Sequence, residues 1–214
     1  MSHSASLFGL SRLSQSLLAT LAMGFAVTAS AAAPAYEPAF EITPFAGYQA
    51  GGRFLDLSND QGVSLNSSGS AALAINWRAA DPGSQYELLY SRQATDVDSA
   101  TPLDVKVEYL QLGGTTPLGD LGARVLPFAA GGFGATRITP DAAALSQETR
   151  WSFNLGGGVR IKVAPHVRLR FEARGYLTWL GGSDNLFCSG GCVIAGKSKT
   201  LFQYQALGGV SVGF

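Results

Sequence analysis

Hydrophobic and polar side chains alternate along the whole segment from Val167 to Trp179, VRLRFEARGYLTW. A repeat of two residues predicts a β-strand, and the strand is longer than the roughly nine to eleven residues that a tilted strand needs to cross a bilayer. We therefore predict that one face meets lipid and that the other faces a polar barrel interior. Slipping the register by one residue would turn four charges toward hydrocarbon at about 2–4 kcal/mol each near the midplane, so the charges fix the register.

The same alternation predicts seven further strands, which makes an even total of eight. They run from Phe40 to Gly51, Ser68 to Arg78, Ser84 to Thr95, Pro102 to Gly113, Val125 to Thr136, Arg150 to Val163 and Leu201 to Phe214. Short connections with turn residues alternate, though imperfectly, with longer polar ones such as Gly52 to Ser67. This pattern predicts an all-β fold, an eight-stranded antiparallel up-and-down transmembrane β-barrel. The facing of Val125 to Thr136 stays undecided.

Alternation alone does not say which face is inside, because a soluble lipocalin-like barrel alternates equally well with its apolar side inward. Charged residues make up 14% of the chain, against about 25% in ordinary soluble domains. Aromatic residues recur near the predicted strand ends, where a membrane interface would place them. We therefore favour the membrane barrel, and a soluble periplasmic ligand-binding barrel is the alternative.

An apolar run from Leu17 to Ala33 follows Arg12 and ends in small residues. It predicts a secretory signal cleaved after Ala31, in preference to a membrane-anchoring helix. The predicted organisation is a signal peptide over residues 1–31, a lead-in over 32–39 and an outer-membrane barrel domain over 40–214. The formal net charge is zero, so nothing indicates nucleic acid as a partner.

The signal, the eight alternating strands and the ending Gly209-Val210-Ser211-Val212-Gly213-Phe214 resemble the small outer-membrane barrels of Gram-negative bacteria. The transmembrane domain of outer-membrane protein A and the opacity proteins typify this family. The resemblance implies residence in the outer membrane, outer-membrane lipid as a partner, and recognition of Gly209, Val212 and Phe214 by the outer-membrane assembly machinery. It implies no ligand.

The face that we assign to the barrel interior carries charges of both signs. The acids are Glu41, Glu87, Asp104, Glu108 and Glu172, and the bases are Arg78, Lys106, Arg160, Lys162, Arg168, Arg170 and Arg174. Charges in a low-dielectric lumen must pair or reach water, so we predict an interleaved salt-bridge network. A narrow porin-like channel for small solutes is the alternative, although side chains fill an eight-stranded barrel.

Cys188 and Cys192 lie in the longest predicted loop, from Leu180 to Thr200. Exported chains meet an oxidising compartment, so a local disulfide is the favoured prediction. Metal binding is the competing interpretation, but two thiolates without a nearby histidine are an incomplete zinc site.

Catalytic chemistry has little support in the sequence. His3 leaves with the predicted signal, and His166 falls in a predicted tight turn, which disfavours lipase or protease chemistry that relies on histidine. We expect no cofactor, no metal and no enzymatic activity. The leading prediction is an outer-membrane protein whose exposed loops serve envelope integrity or surface interaction, with an external ligand that the sequence leaves unknown.

Overall fold

The computed structural model describes residues 37–56, 61–97, 103–141, 146–180 and 200–214. The strands of this part of the chain are β1 Phe40–Gly51, β2 Arg53–Asp56, β3 Gln61–Ser64, β4 Ser68–Arg78, β5 Gln85–Val97, β6 Leu103–Pro117, β7 Val125–Pro140, β8 Glu148–Ala164, β9 Val167–Trp179 and β10 Thr200–Gly213. Over these residues there is no helix long and apolar enough to span a membrane.

Eight of the strands form a closed barrel in the order β1, β10, β9, β8, β7, β6, β5, β4. Every neighbouring pair is antiparallel, and β1 closes the ring by pairing with both β4 and β10. Closure leaves no unpaired sheet edge, which a strand in hydrocarbon could not tolerate. The predicted eight-stranded up-and-down barrel is therefore confirmed.

The predicted strand bounds agree most closely where alternation is cleanest. β1 and β9 begin and end at the predicted residues, whereas β6 and β7 each extend four residues beyond the predicted end, to Pro117 and Pro140. The segment predicted as a polar loop, Gly52 to Ser67, contains the separate two-stranded hairpin of β2 and β3. These two strands are only four residues long, too short for a period of two to stand out.

The polar face of β9 is the interior face. Arg170 and Arg174 are almost fully buried, whereas Phe171 and Trp179 remain about half exposed, at 48% and 51%. β7, whose facing the sequence left undecided, points Leu126 and Phe128 inward and Phe133 outward. Exposed large apolar side chains come from all eight barrel strands, so the outer face is predominantly apolar, as a lipid-facing barrel requires.

The prediction that Asp104, Lys106 and Glu108 face the interior is wrong. In β6 their neighbours Val105, Val107 and Tyr109 are buried, and the three charged residues lie on the outer face. Glu108 Oε1 there accepts a hydrogen bond of 2.6 Å from the Tyr90 hydroxyl.

The physical reason is that this part of β6 lies beyond the apolar belt. Further along the same strand and on the same face, Leu110 and Leu112 are exposed, while Gln111 between them is buried. The strand keeps one parity throughout, but its outer face changes from charged to apolar along its length. Charge therefore marks the interior only where the outer face meets hydrocarbon.

The two ends of the barrel differ in their connections. One end carries the residues before β1, the terminal Phe214 and the short connections over residues 79–84, 118–124 and 165–166. We call it the turn end. The opposite end, the loop end, carries the β2 and β3 hairpin and the connections that follow β5, β7 and β9.

Candidate functional site

Two arginines and two glutamates form a closed ring of alternating charge in the middle of the barrel. We call Glu87, Arg170, Glu172 and Arg174 the charge quartet. Arg170 Nη2 lies 2.5 Å from Glu87 Oε2 and 2.7 Å from Glu172 Oε2. Arg174 Nη2 lies 2.7 Å from Glu87 Oε1, and Arg174 Nε lies 2.8 Å from Glu172 Oε1. Each charge thus touches two opposite charges, and the quartet is neutral as a unit.

The quartet bridges the lumen because its members come from opposite walls. Arg170, Glu172 and Arg174 alternate along the inner face of β9, and Glu87 reaches them from β5. Two asparagines complete the hydrogen bonding: Arg170 Nη1 donates to Asn76 Oδ1 at 3.0 Å, and Arg174 Nη1 donates to Asn154 Oδ1 at 3.1 Å. Such full satisfaction is what makes buried charge tolerable.

Two glycines of β8 make room for the quartet. Gly156 pairs with Arg174, and Gly158 pairs with Glu172. A Cβ on Gly156 would lie 2.9 Å from the Arg174 Cγ, and one on Gly158 would lie 2.8 Å from the Glu172 Cβ. Both would also meet backbone oxygen at 2.1 Å or less. These glycines are functional residues that sequence reasoning missed, and the run Gly156-Gly157-Gly158 in a strand was the available signal.

Toward the loop end the interior changes from charged to neutral and then to apolar. Hydroxyls and amides first form a connected layer, in which the Tyr176 hydroxyl donates to Gln205 Oε1 at 2.9 Å and Gln205 Nε2 donates to Ser91 Oγ at 2.7 Å. Above this layer lies an apolar cap formed by Leu65, Val105, Val107, Ile138, Leu180 and Leu201, all at most 4% exposed.

Toward the turn end the interior is basic. Arg168 Nη1 pairs with Glu41 Oε2 at 2.5 Å. Arg160 is 4% exposed, donates from Nη2 to Thr115 Oγ1 at 2.6 Å and lies 4.6 Å from the centroid of the Phe128 ring. Arg160 is held by a cation–π contact and by one hydrogen bond to a neutral group, and not by a carboxylate.

The structure separates the predicted interior charges into three groups. Glu87, Arg170, Glu172 and Arg174 meet in the quartet. Nearer the turn end, Glu41, Arg160 and Arg168 are buried, Lys162 is partly buried and Arg78 is exposed. Asp104, Lys106 and Glu108 lie outside. The ion-pair partners of these charges could not be predicted from the sequence, because the quartet joins residues more than 80 positions apart.

The residues of the predicted assembly signal lie on the seam where β10 meets β1. Gly209 faces Phe45, and a Cβ on it would lie 2.4 Å from the Pro44 carbonyl oxygen. Val212 and Phe214 point outward, at 37% and 64% exposure. The Phe214 amide donates to the Phe40 carbonyl at 2.8 Å, so the chain end takes part in barrel closure.

Several predicted features lie outside the described residues. These are the signal peptide over residues 1–31, most of the lead-in, and the proposed bridge between Cys188 and Cys192. Over the part of the chain that the structure covers, no three His, Cys, Asp or Glu residues come together in a way that could hold a metal ion.

Fold and interior together define a transmembrane β-barrel, apolar outside and filled with side chains inside. A family model for the outer membrane protein beta-barrel domain matches residues 18–187. The chain belongs to this family, and it resides in the outer membrane. The alternative of a soluble periplasmic barrel is thereby wrong.

Two solved structures illustrate the likeness. Neisserial surface protein A is 16% identical with a TM-score of 0.59, over 82% of this chain and 97% of that one. The outer membrane protein OprG from Pseudomonas aeruginosa is 14% identical with a TM-score of 0.51, over 83% and 97%. At such identities the likeness concerns the fold. No match was found among curated protein sequences.

Proposed function

We propose that this protein is a non-enzymatic, non-conducting outer-membrane anchor that presents the loop end of its barrel at the cell surface for interaction or envelope integrity. The observation that carries the proposal is the filled interior. The charge quartet joins β5 to β9 across the lumen, and the apolar cap nearer the loop end is a second, chemically different obstruction. A continuous water path would have to disrupt both.

The outer surface near the loop end supports a role in contact. On β5, β6 and β7, Arg92, Glu108 and Arg137 lie side by side in register on the outer face, beyond the apolar belt. Alternating charges on neighbouring strands suit an aqueous or headgroup environment rather than hydrocarbon. These strands therefore extend past the membrane core as a rigid platform beneath the loops.

The filled interior predicts an absence of ion conduction. Folded protein incorporated into planar bilayers is expected to give no steady conductance steps, with a known porin in the same bilayers as the positive control. Heat-modifiable migration on gels confirms beforehand that the sample is folded. Steady steps that disappear in the Arg170→Gln/Arg174→Gln variant would overturn the proposal in favour of the narrow channel.

Exposure of the loop end is tested by labelling intact cells with a membrane-impermeant maleimide. In a Cys188→Ser/Cys192→Ser background, Ser146→Cys is expected to label, because Ser146 is exposed at the loop end. Asp120→Cys, equally exposed at the turn end, is expected to label only after the cells are broken. The reverse pattern would contradict the assigned orientation.

A further inference from the structure

A cavity of about 50 Å³ at the turn end has four basic residues among the eleven that line it. Its basic residues are Arg78, Arg160, Lys162 and Arg168, and its one acidic residue is Glu37. We infer that this cavity, which we call the basic mouth, binds a phosphate-type oxyanion from the side of the barrel opposite the loops. This site is distinct from the charge quartet and goes beyond the anchoring function proposed above.

The charges around the basic mouth do not balance. The Arg168 charge is offset by Glu41. The other three cations form no salt bridge with any carboxylate of the described residues, and the groups that accept their hydrogen bonds are neutral. Arg78 Nη2 donates to the Glu37 carbonyl oxygen, Lys162 Nζ donates to the Leu121 carbonyl oxygen at 2.5 Å, and Arg160 Nη2 donates to the Thr115 hydroxyl. Arg78, Arg160 and Lys162 carry three positive charges, and Glu37 carries one negative charge. With Arg168 already offset by Glu41, the net charge around the cavity is plus two.

Arg160, which lines the basic mouth, has an unused buried donor. Arg160 Nε has no hydrogen-bond partner among the described residues, although the side chain is 4% exposed. Gln85, in the same lining, has an unbonded buried Oε1. A flip of its amide would turn an NH₂ donor to the same place. Unpaired buried polar atoms cost free energy, and an oxyanion would accept hydrogen bonds from Arg160 Nε and from the flipped Gln85 amide.

The size and the chemistry of the basic mouth fit one phosphate group. A cavity needs about 10–15 Å³ for each water it holds, so the basic mouth has room for only a few non-hydrogen atoms, as in one phosphate group. Guanidinium groups match phosphate through several directed donors, and lysine adds a point charge. The charge quartet obstructs the lumen between the basic mouth and the loop end. The anion can therefore bind at the turn end but cannot pass through the barrel.

Calorimetric titration of inorganic phosphate into folded protein, in phosphate-free detergent buffer, tests the assignment. We expect saturable binding near one site per chain that weakens with salt, and about a tenfold or greater loss of affinity in Arg78→Gln/Lys162→Gln. Neither residue belongs to the charge quartet. Arg124→Gln removes an exposed cation at the same end that does not line the cavity, so it should bind phosphate like the wild type.

A second arm distinguishes free phosphate from the phosphate of a lipid headgroup. The titration is repeated in nanodiscs of phosphatidylcholine with and without phosphatidic acid. If phosphatidic acid in the nanodisc suppresses the binding of inorganic phosphate, the occupant is a lipid phosphate. If the binding of inorganic phosphate is the same with and without phosphatidic acid, the occupant is a free phosphate. Absence of saturable binding by the folded wild-type protein would overturn the inference, as would an equal loss of affinity in Arg124→Gln.

Discussion

Replacing Glu172 with glutamine is expected to lower the free energy of unfolding by about 3–5 kcal/mol, because it leaves buried arginine charge without a counter-ion. Glu172 contacts both Arg170 and Arg174, and in the variant these two cations would share Glu87 alone. Gln keeps the size of the side chain, so the loss reports charge rather than packing. Urea unfolding of the protein in lipid vesicles measures the change.

The matched control is Glu148→Gln, which removes one carboxylate from a partly exposed ion pair with Arg150 at the loop end, where the Glu148 and Arg150 side chains are 16% and 28% exposed. A pair of this kind contributes about 0–1 kcal/mol, so the control should unfold almost like the wild type. The double variant Glu172→Gln/Arg174→Met restores a one-to-one balance of Arg170 with Glu87. We expect it to lose less stability than the sum of the two single variants. Equal losses in Glu172→Gln and Glu148→Gln would refute the quartet's structural role.

The architecture could be predicted from sequence because hydrocarbon imposes a strict rule on the outer face. Along β9 every second residue is apolar, and no other register keeps Arg168, Arg170, Glu172 and Arg174 out of lipid. The rule no longer applies to the part of the outer face that lies beyond the hydrocarbon core of the membrane. In β6 the outer Asp104, Lys106 and Glu108 lie beyond the apolar belt, so their charge no longer indicates the interior. Reading on to Leu110 and Leu112 would have given the correct parity, because one strand without a bulge keeps one facing.

The partners within the interior could not be predicted in the same way. Alternation gives the face of each residue but not its height in the barrel, which depends on the stagger between strands. Glu87 and Arg170 meet only because β5 and β9 bring them to one level across the lumen. The basic mouth could not be predicted for the same reason. Alternation gives Arg78 and Lys162 only as two further interior charges and does not show that they lie at one end of the barrel.

Closure of the barrel at the β1 and β10 seam requires a glycine at position 209, and replacing Gly209 is expected to abolish folding. A Cβ on Gly209 would lie 2.4 Å from the Pro44 carbonyl oxygen and 2.6 Å from Phe45 Cδ1. The carbonyl belongs to the neighbouring strand, so the clash cannot be relieved by rotating a side chain. Gly209→Val should therefore give little or no heat-modifiable barrel when purified protein is refolded into detergent.

Phe214→Ala tests the predicted recognition by the assembly machinery separately from this steric requirement. The Phe214 ring is 64% exposed on the outer face, and its backbone bonds to Phe40 do not need the side chain. We expect Phe214→Ala to refold in detergent nearly as well as the wild type but to reach the outer membrane of cells in much smaller amount. Gly209→Val should fail in both assays, because a seam that cannot close fails with or without the machinery. Normal insertion of Phe214→Ala in cells would show that the assembly machinery does not recognise the Phe214 side chain. Efficient refolding of Gly209→Val would show that the seam tolerates a side chain at position 209.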